Sequence, residues 1–124
     1  MEFSGKATTT IDSQGRVRIP EKFRKIIEKD SETEVFVMSP DSKSISIYPM
    51  AEWEKIMNVL SEKSGDSNVR RFAILAARWG KKKRMDKQGR ILIEEELRKK
   101  TGMKGRIIIE GRKNHLRLKK LSKD

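Results

Sequence analysis

The 124-residue chain has no cysteine, one histidine and no long apolar run. The first absence excludes a disulfide framework and thiolate chemistry, in keeping with a reducing compartment. The second leaves no cluster of His, Cys and carboxylates at metal-ligand spacing. His115 stands in what reads as a terminal strand and is expected at the surface, as neither base nor ligand. No apolar stretch approaches the roughly 18 to 20 residues that span a bilayer, and the start, Met1-Glu2-Phe3-Ser4, lacks a basic-then-apolar signal pattern. The serines have no histidine partner at motif spacing, which leaves nucleophilic catalysis without support. A cytoplasmic, non-enzymatic chain without cofactor or metal is expected.

Positive charge is what the chain has in excess. Thirty Lys and Arg against eighteen Asp and Glu give a formal net charge of +12. The surplus is lopsided: residues 1–60 hold nine basic and ten acidic side chains, residues 61–124 twenty-one and eight. A field of that sign and size attracts a polyanion, and nucleic acid is the commonest one. A merely solubilising surface would spread its charge more evenly.

One phrase occurs twice. Asp12-Ser13-Gln14-Gly15-Arg16-Val17-Arg18-Ile19-Pro20-Glu21-Lys22-Phe23-Arg24-Lys25 returns, 74 residues on (86 − 12), as Asp86-Lys87-Gln88-Gly89-Arg90-Ile91-Leu92-Ile93-Glu94-Glu95-Glu96-Leu97-Arg98-Lys99. Eight of the fourteen positions are identical. Such self-similarity describes two copies of one supersecondary unit. A half of about 50 residues buries too little surface to be secure alone, so the copies are expected to share one core.

Within each copy the pattern reads strand, turn, strand, short helix, strand, strand. The β-branched run 6–11 leads into the turn at 12–15, where an Asp carboxylate can accept backbone N–H groups and a Gly can take positive φ. Alternation in 16–19 puts Val17 and Ile19 on one face and Arg16 and Arg18 on the other. A helix follows over 21–29, then a hairpin from 34–38 and 44–48. The second copy repeats this as 81–85, 90–93, a helix over 94–100, 106–110 and 115–119. Glu94-Glu95-Glu96 reads as acid at a helix start rather than a catalytic pair. Between the copies, Trp53, Ile56, Met57 and Leu60 form one helical stripe, and Phe72, Leu75, Ala76 and Trp79 a second; burial against their own chain is the expectation. The division is therefore 1–50, first unit; 51–79, helical connector; 80–124, second unit.

The candidate site residues are those whose positions repeat. Asp12, Gly15, Asp86 and Gly89 are expected to build the turns. Each turn holds an arginine, Arg16 or Arg90, and each helix a basic pair, Arg24-Lys25 or Arg98-Lys99. Arginine grips a phosphate or a guanine edge with two parallel hydrogen bonds, so one fixed by a rigid turn suits duplex reading. The plainer reading is that Asp12 pairs Arg16, and Asp86 pairs Arg90, to pin each turn; the two are compatible. The run Lys81-Lys82-Lys83-Arg84 precedes only the second turn, which suits phosphate contact there. One glycine per turn, with no Lys-Ser/Thr pair after it, is no nucleotide-binding loop.

The Asp-x-x-Gly-Arg-apolar-x-Ile-Pro-x-x-Phe/Leu-Arg phrase resembles the SpoVT-AbrB family of swapped-hairpin DNA-binding proteins. The doubled phrase with the connector Tyr48-Pro49-Met50-Ala51-Glu52-Trp53 is similar to its two-repeat branch. That resemblance implies an α+β fold: two tandem swapped-hairpin units forming an intrachain pseudodimer, with a helical connector. It also implies a ring-forming homo-oligomer, nucleoid-associated, which regulates transcription from short promoter repeats upstream of the division and cell-wall gene cluster that includes its own gene. By the same resemblance the DNA-contacting residues fall on Arg16, Arg24, Lys25, Lys83, Arg90, Arg98 and Lys99, with Arg84 added from the basic run. Double-stranded DNA with direct repeats is the expected partner, and no membrane. Glu94 departs from the proline expected by comparison with Pro20 and is expected to loosen that helix start. Thr9 stands where the second unit has Lys83. The chain stops at Lys119-Lys120-Leu121-Ser122-Lys123-Asp124, short of the helical extension common in that branch. An AbrB-like antitoxin is the runner-up, although such proteins usually carry one unit and a toxin-binding tail. A non-specific RNA-associated protein is the third reading, and it would want exposed stacking aromatics.

Overall fold

The computed structural model describes residues 2–31 and 33–121, without the side chains of 30 and 31. Residues 1 and 122–124, the outermost of the two expected units, lie outside the described residues. In chain order the elements are β1 (Lys6–Ile11), β2 (Arg16–Arg18), α1 (Glu21–Ser31), β3 (Glu34–Asp41) and β4 (Ser44–Pro49). Then come α2 (Met50–Glu62), α3 (Ser67–Trp79), β5 (Lys81–Arg84), β6 (Arg90–Leu92), α4 (Glu95–Thr101), β7 (Gly105–Gly111) and β8 (Leu116–Lys120).

The strands form one antiparallel sheet in the order β5-β3-β4-β8-β7-β1-β2-β6, and its two end strands, β5 and β6, approach each other. Neither unit keeps its strands to itself. β1 of the first unit runs along β7 of the second, and β5 of the second along β3 of the first. β2 lies on β6 with Val17 opposite Ile91, residues that occupy the same place in the two phrases. β4 lies on β8. The exchange is reciprocal, which is the α+β swapped-hairpin arrangement.

Alternation explains why the exchange holds. Val17, Ile19, Val35, Val37, Ile45 and Ile47 from the first unit meet Ile91, Ile93, Ile107, Ile109, Leu116 and Leu118 from the second in a single core, each at most 1% exposed. α1 adds Phe23 and Ile27 to that core, and α4 adds Leu97. Burying a side chain of this kind stabilises by about 1.5–3 kcal/mol. The opposite face of β3 and β4 is covered by the connector: Met38 and Tyr48 pack with Met50 and Trp53 of α2 and Ala76 of α3. Phe36 stacks on Trp53, ring centroids 4.1 Å apart. β3 and β4 are thus buried on both sides, whereas Met57 (46%), Val59 (48%) and Ile74 (67%) stay exposed on the helices.

Three local expectations need correction. The first strand of the 34–48 hairpin does not end at Met38: it continues to Asp41 across a register shift, where the Ser39 hydroxyl bonds the carbonyls of Asp41 and Ser44. α4 starts at the same relative place as α1 despite Glu94, since the Glu94 carbonyl accepts from Leu97 and Arg98 N–H as the Pro20 carbonyl does from Phe23 and Arg24. His115 is not a plain surface residue. It precedes β8 half-buried, its ring stacked on Tyr48 at 4.6 Å, with Nδ1 2.8 Å from Asn114 Oδ1.

Burial, followed by the nearby Arg117 and Arg112, pushes the His115 pKa down to about 4. The unfolded chain takes up this proton near the ordinary value, so stability is untouched above that value and falls as pH drops from there to about 4. A chemical-denaturation series over pH 7 to 4 should lose on the order of 1–2 kcal/mol that a His115→Gln variant does not lose, the residue's partial exposure being allowed for. The shared core predicts one cooperative transition, monitored at Trp53 and Trp79 together. Ile91→Ala should lower that single midpoint, at a cost of about 2–5 kcal/mol, rather than melt one half first.

Candidate nucleic-acid interface

The two turns have the same internal bonding. Asp12 Oδ1 accepts from the N–H groups of Gln14 and Arg16 at 2.9 Å each, and Asp86 Oδ1 from those of Gln88 and Arg90 at 2.9 and 2.8 Å. Gly15 and Gly89 take φ of 92° and 76°, where a side chain would be strained. The bond from the Arg16 N–H holds the Asp12 carboxyl below its ordinary value despite slight desolvation. At Asp86 desolvation is the largest influence, but the bonds from Arg90 and Gln88 together outweigh it and again lower the pKa. Both carboxylates therefore add stability above their unfolded values, and this is lost as pH falls through the depressed folded ones.

Each turn is then locked by the other unit. Ile19 N–H donates to the Gly89 carbonyl at 2.9 Å, and Ile93 N–H to the Gly15 carbonyl at 2.8 Å. The helix arginines cross over in the same way. Arg24 Nη1 donates to the Gln88 carbonyl at 3.2 Å, and its side chain fills the space where a Cβ on Gly89 would sit. Arg98 occupies the corresponding space at Gly15, where a Cβ would lie 2.7 Å from its Nε, and it donates to the Ile93 carbonyl at 2.9 Å. Arg24 and Arg98 are therefore half-buried props beneath the turns.

The turn arginines differ from each other. Arg90 Nε pairs with Asp86 Oδ2 at 3.0 Å, whereas the Arg16 side chain bonds Gln14 and meets Asp12 only through its backbone. The structure brings both to one cleft of about 330 Å³, lined by Thr8, Thr9, Thr10, Asp12, Arg16, Arg18 and Arg90. Thr8, Thr10, Arg18 and Arg106 are exposed on this side of the sheet, and Arg106 Nη2 lies 3.5 Å from Thr8 Oγ1. Arg18 and Arg106 were not among the sequence-derived candidates. Alternation had already placed Arg18 beside Arg16, but the second phrase has Leu92 there, so a search for repeated positions passes over it.

The remaining candidates do not line this cleft. Lys25 and Lys99 are exposed on their helices, with Glu21 at 3.3 Å and Glu95 at 3.7 Å. Lys83 is tied to Glu94, whose pKa is lowered first by that bond. Arg84 reaches across to Glu34 and Thr33 of the first unit, each at 3.0 Å. Two of the residues that break the repeat, Lys83 for Thr9 and Glu94 for Pro20, thus pair with each other. Among the described residues no group of His, Cys, Asp and Glu could hold a metal ion. No described helix is long and apolar enough to cross a membrane.

Reciprocal strand exchange around doubled Asp-x-x-Gly-Arg turns defines a class, the two-unit swapped-hairpin proteins of AbrB-like type. Residues 3–73 match the family model described as "MraZ protein, putative antitoxin-like". The chain is 30% identical over 115 residues to a protein of Acidobacterium capsulatum named transcriptional regulator MraZ, covering 92% of this chain and 79% of that one. A protein of the same name from Neisseria meningitidis serogroup A is 35% identical over 118 residues, with coverage of 94% and 78%. Another, from Thioalkalivibrio sulfidiphilus, is 30% identical over 117 residues, also with 94% and 78% covered. The chain belongs to the MraZ family.

Because Arg24 lies where a Gly89 side chain would go, Gly89→Ala should cost about 1–3 kcal/mol from backbone strain and more from the collision. Adding Arg24→Ala should return the collision part only. A double-mutant cycle by urea unfolding reads the difference.

Proposed function

We propose that the chain is a DNA-binding transcriptional regulator that acts through contact rather than catalysis. The observation that carries this reading is the meeting of Arg16, Arg18 and Arg90 in one threonine-lined cleft. Two of these guanidiniums sit on turns whose angles are fixed by an Asp carboxylate and by a backbone bond from the opposite unit. Preorganised guanidiniums lose little freedom on binding and can take a phosphate or a guanine edge bidentately. Arg24 and Arg98 act in this reading by propping the turns. Lys25, Lys99, Lys83 and Arg84 flank the contact, each with a Glu beside it. The name its relatives carry, transcriptional regulator MraZ, supports the same function.

The finer reading is a cytoplasmic, nucleoid-associated homo-oligomer on short direct repeats, by family resemblance upstream of the division and cell-wall cluster that includes its own gene. One pair of turns reads few base pairs and binds weakly alone; linking copies raises avidity for spaced repeats without new contacts. Met57 and Val59 on α2 and Ile74 on α3 are separate exposed apolar positions available to a second copy.

The test is binding of wild type and of Arg16→Ala/Arg90→Ala to duplexes with spaced repeats and to a scrambled duplex across a salt series. About six phosphate contacts would give a log–log slope near −5 for wild type. The double variant should stay folded, with a midpoint lowered by no more than the loss of one partly exposed ion pair, and lose its preference for repeats by at least roughly tenfold per arginine removed. Equal binding of repeat, scrambled duplex and single-stranded RNA by wild type would instead favour a non-specific RNA-associated role.

A further inference from the structure

The buried polar side chains of the described residues are few, and they gather in one place. Ser39, Ser44, Ser46 and Thr101 are each at most 4% exposed. Ser44 and Thr101 line a cleft of about 430 Å³ between the β3–β4 hairpin tip, the end of α4 and β8. Ser46 lies opposite Arg117 on the neighbouring strand, and Ser39 bonds the carbonyls of Asp41 and Ser44 at the hairpin tip. Four cations, Lys43, Arg117, Lys119 and Lys120, face the cleft against one acid, Asp41.

That acid is already engaged. Asp41 Oδ1 accepts from Lys43 N–H at 2.8 Å and Ser44 Oγ at 3.0 Å. Lys119 is 3.6 Å from Glu110, which Arg112 shares at 3.2 Å. Among the described residues Arg117, Lys43 and Lys120 have no ion-pair partner, and the Arg117 Nε is in addition buried without a hydrogen-bond acceptor, as Arg24 Nε is beneath its turn. A buried donor left unsatisfied is costly, more so when charged, and native structures rarely leave one without a reason. The cleft is also held in shape. Lys100 Nζ ties the end of α4 to the hairpin through Ser39 Oγ at 3.2 Å and the Asp41 carbonyl at 2.8 Å.

We propose that this cleft is a binding site for a phosphorylated small molecule, with Arg117 gripping the phosphate and Lys43 and Lys120 neutralising it. The charge surplus and the guanidinium of Arg117, which lines the cleft without an ion-pair partner, select a multiply charged oxyanion, and the volume falls within the ordinary range for small-molecule sites. The site is separate from the arginine cleft. In the sheet order, β7 and β1 lie between β8 and β2. Its existence is independent of whether the first cleft binds DNA.

The test is an NMR titration of the full-length chain, without DNA and at physiological salt, using pyrophosphate, ATP and adenosine in turn. Pyrophosphate and ATP should give saturable shifts at residues 41–44 and 116–120, and adenosine none. Tighter binding of ATP than of pyrophosphate identifies a nucleotide-like ligand, and equal binding a site for the phosphate group alone; both support the site. Arg117→Gln should weaken binding at least about tenfold, and Lys43→Ala, on the exposed hairpin tip, several-fold. Arg16→Ala/Arg90→Ala should leave it unchanged. Shifts that never saturate, or affinity unaltered in both Arg117→Gln and Lys43→Ala, would overturn the proposal. So would loss of duplex binding in Arg117→Gln with no saturable pyrophosphate shift, which would assign the cleft to the DNA backbone.

Discussion

The structure depends on two backbone hydrogen bonds, each reaching from one unit to the turn of the other: Ile19 to Gly89 and Ile93 to Gly15. A turn closed only by its own Asp carboxylate would be a hairpin tip in water, free to hinge. Here the carbonyl beside each arginine is held by the opposite unit's strand, and the opposite unit's helix lays an arginine against the glycine. Ile19 and Ile93 are themselves core residues at most 1% exposed. The position of the surface arginines is thereby referred to the shared core, and rigidity at the turns becomes a by-product of burial.

The pseudosymmetry that this produces is incomplete in a directed way. On the outer face of the β2–β6 pair, Arg18 of the first unit lies opposite Arg90, but Leu92 of the second lies opposite Arg16. On the flanking strands, exposed Thr8 and Thr10 stand on one side, and on the other exposed Lys82 and Arg84, the latter paired with Glu34. One flank is richer in free guanidinium than the other. A surface of this kind has a polarity, and a duplex bound to it would have an orientation.

Local chemistry made much of this legible. The β-branched run of β1, the alternation in β2 and the turn residues all act over a few positions, and the sequence displays them directly. The exchange is written nowhere locally. Lys6 pairs with Glu110 and Lys81 with Val37, and nothing in the spacing of either strand names its distant partner. The fate of the helix pairs was half legible. Lys25 points outward, while Arg24, beside the buried Phe23, turns under the Gln88–Gly89 backbone, and composition alone does not separate two adjacent cations. Lys83 and Glu94 each read as a departure from the repeat; only folding brings them together. His115 looked solitary because its partner, Tyr48, belongs to the other unit.

Strand β1 leaves the ribosome roughly a hundred residues ahead of its partner β7. At about 5–20 residues per second, the first unit exists for some seconds as a nascent chain with its hairpins unpaired and Val17, Ile19 and Val35 uncovered. It cannot finish folding on its own, because the strands it needs have not been made. On a crowded polysome the nearest compatible strands belong to a neighbouring chain. Joining the two units in one polypeptide raises the local concentration of the correct partner once it emerges, and the α2–α3 connector sets how long that takes.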